Sequence, residues 1–317
     1  MAVAFFFVLG GFSMALGYKD RIMNPAFSYR NYLIRRCIKF YPLHWLCLLA
    51  SLPLISLTLK KIPVFFINAS LLHTLVPIKG VYFSFNMVSW YLANTLFFAV
   101  VFPFIFKRIM QASQFNRGAI VIISAIIYVT VVLLLPLKWY HAILYVNPIM
   151  RLFDFVFGVF LAIVYWKIKE REERIFSISL FSQSLIFIFI ALLVIESCLL
   201  SENVQMIAPV YWPFIALLIL IASLSGTSTA GSGKLIEHNY LQWLGELSFI
   251  IFLSHQLIVR YSKLLLDNIR FFDNYIVFIA FTLLLTLIVS VVVKKYVLNP
   301  ITQWLTKRIQ PSMTVRS

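Results

Sequence analysis

Residues 27–45, FSYRNYLIRRCIKFYPLHW, contain the densest run of positive charge that precedes an apolar segment of this chain. Within ten residues this stretch carries four cations, Arg30, Arg35, Arg36 and Lys39. It becomes apolar from Tyr41 onward. Such a run is typical of the positive residues that flank a membrane-spanning helix on its cytoplasmic side. Guanidinium groups also bind phosphates in a bidentate manner, so the run is, as the less common alternative, a candidate binding site for an anionic cytosolic substrate. Charge alone leaves both interpretations open.

The composition is that of a membrane protein. The chain has 317 residues, of which 62% are hydrophobic and 12% charged, and its mean hydropathy is +0.93. Soluble domains are nearer half apolar, so we predict an all-α integral membrane protein with one polytopic domain over residues 1–317. The net charge of +16 is expected in cytoplasmic loops, against anionic lipid, and does not indicate nucleic acid. Three scattered cysteines give neither a disulfide framework nor a metal-ligand pattern, so we expect no metal site.

Hydrophobic windows long enough to cross the hydrocarbon core of a bilayer predict nine transmembrane helices. They cover residues 2–17, 41–57, 88–106, 118–136, 142–166, 176–198, 209–225, 241–259 and 275–293. Residues 62–78 form a tenth apolar window, but Pro63 and Pro77 stand at its ends and Asn68 and His73 lie inside it. We therefore interpret 62–78 as an interfacial or re-entrant segment.

The distribution of positive charge supports this count. With nine spans, one set of loops carries 19 of the 27 Lys and Arg residues, the other set carries 7, and one lies inside a span. The richer set comprises residues 18–40, 107–117, 167–175, 226–240 and the tail from 294. Positive residues collect on the cytoplasmic side. We therefore expect a cytoplasmic C-terminus, an external N-terminus and a preceding helix that this sequence does not contain.

Ionisable residues inside a span are costly, so each is a candidate functional residue. Arg151 and Asp154 stand three apart on one helix face and can form an ion pair. Such a pair either takes part in function or locks neighbouring helices together. His255 lies near the outer end of its span, as a candidate general base or a hydrogen-bonded structural residue. His44 and His73 are further candidates.

Polar residues also collect at the outer start of the span over 88–106. Asn86, Ser89 and Asn94 would line a polar, outward-facing patch together with Trp90, and we predict that these four bind the acceptor substrate. The chain then has a cationic zone towards the cytosol and a polar zone that opens outward from mid-membrane. An enzyme that takes an anionic donor from inside and serves an acceptor outside would have both zones, and so would a transporter.

Five segments resemble, in order and spacing, the motifs of the acyltransferase-3 family of bacterial membrane acyltransferases. They are FFFVLGGF at 5–12, RRCIKFYPLHW at 35–45, NMVSWYLANTLFF at 86–98, RLFDFVFG at 151–158 and LGELSFIIFLSH at 244–255. Two positions depart from the family pattern: Lys39 stands where an Arg is usual, and Thr95 or Leu96 stands where the family has a Glu. The family's first helix, which carries a His thought to act in catalysis, has no counterpart in this sequence.

The resemblance implies a ten-helix bundle in the bacterial cytoplasmic membrane. Such a bundle moves an acyl group, commonly acetyl from acetyl-CoA, onto a hydroxyl of a cell-surface polysaccharide, lipopolysaccharide or lipid-linked sugar. It implies that the four cations of residues 30–39 hold the phosphates of the CoA donor, which is a substrate and not a permanently bound cofactor. His255 is then the candidate base, and Arg151, paired with Asp154, is a candidate to stabilise the oxyanion or orient the acceptor.

Two other classes of function remain open. A transporter or flippase of a lipid-linked saccharide also needs charged residues within its spans, but it does not need to bind acetyl-CoA on the cytosolic face. An inactive relative that persists as a membrane scaffold would account for the absent first helix. Binding of acetyl-CoA separates the enzyme from the transporter.

Overall fold

A computed structural model describes residues 2–56, 58–170, 190, 191, 194, 206–225, 239–266, 269 and 274–309. Every regular element within these residues is helical. The helices are α1 Ala2–Met23, α2 Tyr29–Ser51, α3 Lys61–Ala69, α4 Lys79–Tyr82, α5 Ser89–Gln111, α6 Gln114–Leu134, α7 Pro148–Glu170, α8 Trp212–Ser225, α9 Asn239–Leu266, α10 Tyr275–Val293 and α11 Asn299–Ile309. In the described part of the chain, seven helical stretches are long and apolar enough to cross a membrane, which confirms the predicted all-α membrane fold.

The predicted spans agree with the observed helices at most positions. Seven of the nine coincide with the long apolar helices. The predicted span 209–225 corresponds to a shorter apolar stretch, Ala208–Leu224, and the predicted span 176–198 lies almost wholly outside the described residues. Residues 62–78 form no spanning helix, because α3 ends at Ala69 and a short 3-10 turn, His73–Leu75, follows.

The chain forms two compact units, each assembled from two separate segments. Unit 1 comprises Met1–Phe27 and Phe97–Leu241, and unit 2 comprises Ser28–Leu96 and Gln242–Ser317. The first residues of α5 therefore belong to unit 2 and the remainder to unit 1. The assignment of residues 1–317 to one domain stays a prediction.

In unit 2, α2 begins at Tyr29 and not at residue 41, where hydropathy placed the start of the span. The hydroxyl oxygen of Ser28 accepts a hydrogen bond from a backbone N–H of the first turn at 3.3 Å and so caps the helix. The predicted loop 18–40 thus shrinks to residues 24–28. Arg and Lys are good helix formers, whereas hydropathy detects only the part of a helix that lies in hydrocarbon.

Three side chains of α2 form hydrogen bonds to the end of α3. The pairs are Tyr41 Oη to Ser70 O at 3.1 Å, His44 Nε2 to Asn68 O at 2.9 Å and Trp45 Nε1 to Ala69 O at 3.0 Å. Positions 41, 44 and 45 share one face of α2. The last carbonyls of a helix have no partner within it, and an unpaired carbonyl is costly within a bilayer. These three donors therefore fasten the end of α3 to α2 and add to the backbone hydrogen bonds, such as Leu71 N–H to Asn68 O, that close its last turn.

Two residues with left-handed backbone flank the segment that follows α3. Leu71 has φ 60° and Phe85 has φ 58°, and both side chains are buried. Such a conformation costs a bulky residue about 1–3 kcal/mol. Phe85 is held in part because its carbonyl oxygen accepts a hydrogen bond from Arg260 Nη1 at 3.3 Å. The segment from 71 to 85 thus begins and ends at a residue with left-handed backbone.

Helix α9 runs beside α2 in a defined register. The rings of Phe40 and Phe249 are 5.7 Å apart, and Tyr261 Oη donates to the carbonyl oxygen of Ala50 at 2.7 Å. Residue 249 is therefore level with residue 40, and residue 261 is level with residue 50. His255, midway between these contacts on α9, lies at the level of residues 44–46 of α2.

In unit 1, α1 and α7 approach so closely that glycine is required on both. A Cβ added to Gly11 would collide with the backbone carbonyl oxygen of Phe155, and a Cβ added to Gly158 would collide with that of Val8. Small residues at a helix interface allow this approach in membranes. The ring of Phe155 stacks on that of Phe98 at 5.1 Å, which ties α5 into the same core.

We expect Gly158→Ala to destabilise unit 1, because the added methyl group must push two backbones apart. Overpacking of this kind costs about 1–3 kcal/mol. Gly10→Ala is the matched control, since no atom lies within 4 Å of a Cβ at that position. Thermal unfolding in detergent should show a lower midpoint for the first variant only. Equal midpoints for both variants would contradict the close contact of α1 and α7.

Candidate functional site

The four predicted CoA-binding cations lie on the first three turns of one helix, α2, but not on one face. Arg30, Arg35 and Lys39 are exposed, whereas Arg36 is only 8% exposed. The guanidinium carbon of Arg36 lies 5.3 Å from the centroid of the Tyr32 ring. Arg35 and Lys39 are one helical turn apart and therefore adjacent. The basic start of α2 thus presents an accessible cationic surface, while Arg36 points inward.

A cluster of buried polar side chains lies deeper in unit 2. It is termed the polar layer and consists of His44, Asn68, His73, Asn86 and Ser89, each no more than 1% exposed. Hydrogen bonds connect it to its surroundings: Asn68 Nδ2 donates to Ser84 Oγ at 3.1 Å, and Asn86 Nδ2 donates to the carbonyl oxygen of Leu253 at 2.9 Å. The polar layer therefore joins α2, the segment after α3, the start of α5 and α9.

The predicted substrate-binding group falls partly in this layer. Asn86 and Ser89 belong to it, and Trp90 and Asn94 are buried on the first turns of α5. All four are interior residues of unit 2 and do not form a surface patch. Their role in binding the acceptor stays a prediction.

His73 and Ser89 form a buried imidazole–hydroxyl pair, with Nε2 and Oγ 3.3 Å apart. Burial, reinforced by the neighbouring His44, lowers the pKa of His73 to about 3. The imidazole of His73 is therefore neutral at physiological pH, since its charged form would lose its hydration without gaining a counter-ion.

His255 is half-buried on α9, at the level of His44. Its Nδ1 lies 2.7 Å from the carbonyl oxygen of Phe252 and 3.3 Å from that of Ile251. A nitrogen that faces a carbonyl oxygen must carry the proton, so Nδ1 is the protonated nitrogen in the neutral tautomer of this ring. His255 lies two residues after Leu253, whose carbonyl oxygen accepts from Asn86 of the polar layer, and the role of His255 as the base stays a prediction.

Arg151 and Asp154 form the predicted ion pair, in unit 1. The Nη1–Oδ2 distance is 3.0 Å, and both side chains are almost fully buried. Arg151 Nε also donates to the carbonyl oxygen of Tyr145 at 2.7 Å, and Trp212 Nε1 donates to Asp154 Oδ1 at 2.6 Å. These protein contacts favour the structural interpretation of the pair, because they engage both charged groups with α7, α8 and the π-helical segment before α7. The catalytic role of the pair stays a prediction.

Several partners could not have been found from sequence. Trp212, the second partner of Asp154, is distant in the chain and gave no signal of its own. The pairing of His44 with Asn68 depends on where α3 ends, which hydropathy does not reveal. Within the described residues no group of three His, Cys, Asp or Glu side chains could hold a metal ion.

The ion pair predicts a specific ranking of variants. Arg151→Met leaves a buried carboxylate without its counter-ion, and we expect the free energy of unfolding to fall by about 3–5 kcal/mol. Adding Asp154→Asn removes that charge and keeps an acceptor for Trp212, so the double variant should be more stable than the single one. Denaturant unfolding in detergent measures both. A double variant less stable than Arg151→Met would contradict the structural role.

Comparison with known proteins agrees with the motifs and the helical architecture. Residues 1–295 match the acyltransferase-3 family, whose description is an acyltransferase domain. No curated protein and no solved structure gives a significant match. Because the family match covers most of the chain, the chain belongs to the acyltransferase-3 family of membrane acyltransferases.

Proposed function

We propose that this chain transfers an acyl group, most simply acetyl, from acyl-CoA to a hydroxyl of a cell-surface polysaccharide, lipopolysaccharide or lipid-linked sugar. One observation carries the proposal: α2 bears an accessible cationic surface at its start and a buried imidazole, His44, deeper on the same helix. Arg36 and His44 are eight residues apart, which is about 12 Å along a helix. A donor bound at the basic end can therefore extend its acyl group towards the polar layer.

The donor is recognised by its phosphates. CoA carries a diphosphate and a separate phosphate, and Arg binds such groups through two parallel N–H···O bonds. Arg30, Arg35 and Lys39 are the exposed cations of this surface. Lys39 binds as a point charge where an Arg would bind in a bidentate manner, so the substitution of Arg by Lys weakens this contact without removing it.

The transfer requires two kinds of group. A base takes the proton of the acceptor hydroxyl while its oxygen attacks the thioester carbonyl. Donors stabilise the oxyanion that develops on that carbonyl oxygen. The carbon–sulfur bond then breaks, and the CoA thiolate leaves and takes up the proton. The polar layer contains imidazoles, amides and a hydroxyl, which supply both kinds of group.

The setting is proposed to be the bacterial cytoplasmic membrane, with the C-terminus in the cytosol. The 19 to 7 division of Lys and Arg between the two sets of loops supports this orientation. It also places the start of α2 on the side where acyl-CoA is found. Membrane lipid is the expected neighbour of α6, whose apolar side chains, such as Ile122 and Leu133, are largely exposed.

Donor binding provides the test. Arg35→Gln with Lys39→Gln removes two exposed positive charges from the start of α2. Each charge-assisted hydrogen bond lost is worth about 1.5–3 kcal/mol, so the affinity for acetyl-CoA should fall about tenfold or more. Calorimetric titration of the protein in lipid nanodiscs measures it.

The matched control is Lys307→Gln with Arg308→Gln, which removes the same charge from exposed positions on α11. We expect acetyl-CoA to bind this variant as it binds the wild type. Equal losses in both variants would mean that net charge, and not a site on α2, attracts the donor. Absence of acetyl-CoA binding by the wild type would reject the acyltransferase proposal and favour the transport of a lipid-linked saccharide.

A further inference from the structure

Four buried polar atoms of the polar layer have no hydrogen-bond partner among the described residues. They are His44 Nδ1, His73 Nδ1, Asn68 Oδ1 and Asn86 Oδ1. Buried polar atoms in folded proteins are almost always paired, and an exception indicates water, a ligand or a catalytic role. Within a bilayer the cost of leaving them unpaired is greater still. Four such atoms in one cluster point to a polar group that binds between them.

The protonation of His44 follows from its partner. Its Nε2 lies 2.9 Å from the carbonyl oxygen of Asn68, and a carbonyl oxygen can only accept a hydrogen bond. Nε2 therefore carries the proton. In the neutral imidazole the other nitrogen, Nδ1, then presents a lone pair. His44 Nδ1 is an unoccupied acceptor that is able to take up a proton.

The protonation of His73 follows from counting donors and acceptors. Its Nε2 faces Ser89 Oγ, and this is the hydrogen bond found for the Ser89 hydroxyl among the described residues. If Ser89 donates to Nε2, one buried donor, His73 Nδ1–H, is left unsatisfied. If Nε2–H donates to Ser89, both the serine proton and the Nδ1 lone pair are left unsatisfied, which costs more. His73 Nδ1 is therefore an unoccupied donor.

The two rings complement each other. His44 is bonded to the carbonyl oxygen of Asn68, His73 follows Asn68 by five residues, and both rings are buried in the polar layer, with one unoccupied acceptor and one unoccupied donor. A hydroxyl group both donates and accepts a hydrogen bond. A carboxylate would find a lone pair at His44, and an ammonium group would find a proton at His73. The pair thus fits a neutral hydroxyl better than either ion.

We propose that His44 and His73 form the acceptor site, in which the hydroxyl that receives the acyl group donates to His44 Nδ1 and accepts from His73 Nδ1–H. This assignment rests on the acyltransferase function proposed above. The hydroxyl O–H bond breaks, its proton goes to His44 Nδ1, its oxygen bonds to the acyl carbon, and the carbon–sulfur bond breaks. The proton on His44 then passes to the CoA thiolate, which restores the neutral imidazole.

His44 suits the role of base better than His255 does. His255 is half-buried, and the nitrogen that is bonded points back to its own helix. His44 is fully buried, where excluded water neither competes for the acyl group nor weakens the electrostatic interactions. His73 acts as a neutral hydrogen-bond donor that positions the hydroxyl, a use of imidazole that requires its uncharged form.

The test compares acyl transfer with donor binding in the full-length protein. In His44→Gln the amide nitrogen still donates to the Asn68 carbonyl, but the lone pair at the Nδ1 position is lost. We expect acyl transfer to fall about 100-fold or more, as for loss of a general base, with acetyl-CoA affinity unchanged. His73→Gln keeps a contact with Ser89 and loses the donor, and transfer should fall about tenfold.

Acyl transfer is measured as the base-labile acetate on the surface polysaccharide of cells in which the variant replaces the wild-type protein. Acetyl-CoA binding is measured on the purified protein in nanodiscs. His141→Gln is the matched control, since His141 lies in unit 1, outside the polar layer, and this variant should acylate as the wild type does. An inactive wild type that binds no acetyl-CoA would reject the proposed function. An active wild type with an equally active His44→Gln, or activity lost in His255→Gln alone, would overturn this assignment.

Two further measurements separate the remaining alternatives. Water can occupy the same donor and acceptor, so acetyl-CoA hydrolysis by the purified protein is measured without an acceptor. Loss of hydrolysis in His44→Gln with surface acylation retained would mean that the pair holds only water, and would overturn the proposal.

Nitrogen-15 NMR of the wild type at pH 7 tests the proposed protonation of the two rings without any variant. The expected tautomers are Nε2–H for His44 and Nδ1–H for His73, and a charged ring or the opposite tautomer at His44 would overturn it.

Discussion

The hydrogen bonds from α2 to the last carbonyls of α3 are the interaction on which unit 2 depends. A helix that ends inside a bilayer leaves carbonyl groups that no water can satisfy. Tyr41, His44 and Trp45 donate to three of them, and so the chain can leave the helix at Ala69 and turn through the left-handed residue Leu71. These three side chains thereby fasten the end of α3, and the segment that carries His73 after it, to α2.

The same constraint links structure to chemistry at His44. Its bond to the Asn68 carbonyl uses one ring nitrogen and thereby fixes the tautomer, which leaves a lone pair on the other nitrogen. A residue that supports the backbone is in this way also prepared to accept a proton. Tyr41 and Trp45, its neighbours on the same face of α2, have no second ring nitrogen with a lone pair. All three residues hold the end of α3, but only His44 is able to take up a proton in this way.

Hydropathy and charge were sufficient to predict the helical class, most of the spans and the non-spanning segment after α2, because these depend on composition over long windows. They misplaced the start of α2, since a capped helix rich in Arg and Lys can extend beyond the hydrocarbon. The sequence marked Arg151, Asp154 and His255 as candidates, but it could not show which polar groups are paired. Pairing depends on distant partners such as Trp212, which only the fold brings within reach of Asp154.

The two sets of buried polar residues differ in whether their polar atoms have hydrogen-bond partners within the protein. In unit 1, Arg151 and Asp154 engage each other and further protein groups at 3.0 Å or less, so their desolvation is offset within the protein. In unit 2, the polar layer keeps four atoms without protein partners among the described residues. Natural proteins keep unpaired buried polar atoms mainly where a bound group supplies the missing hydrogen bonds. The paired residues therefore account for stability, and the incompletely paired imidazoles account better for a site where a substrate hydroxyl binds.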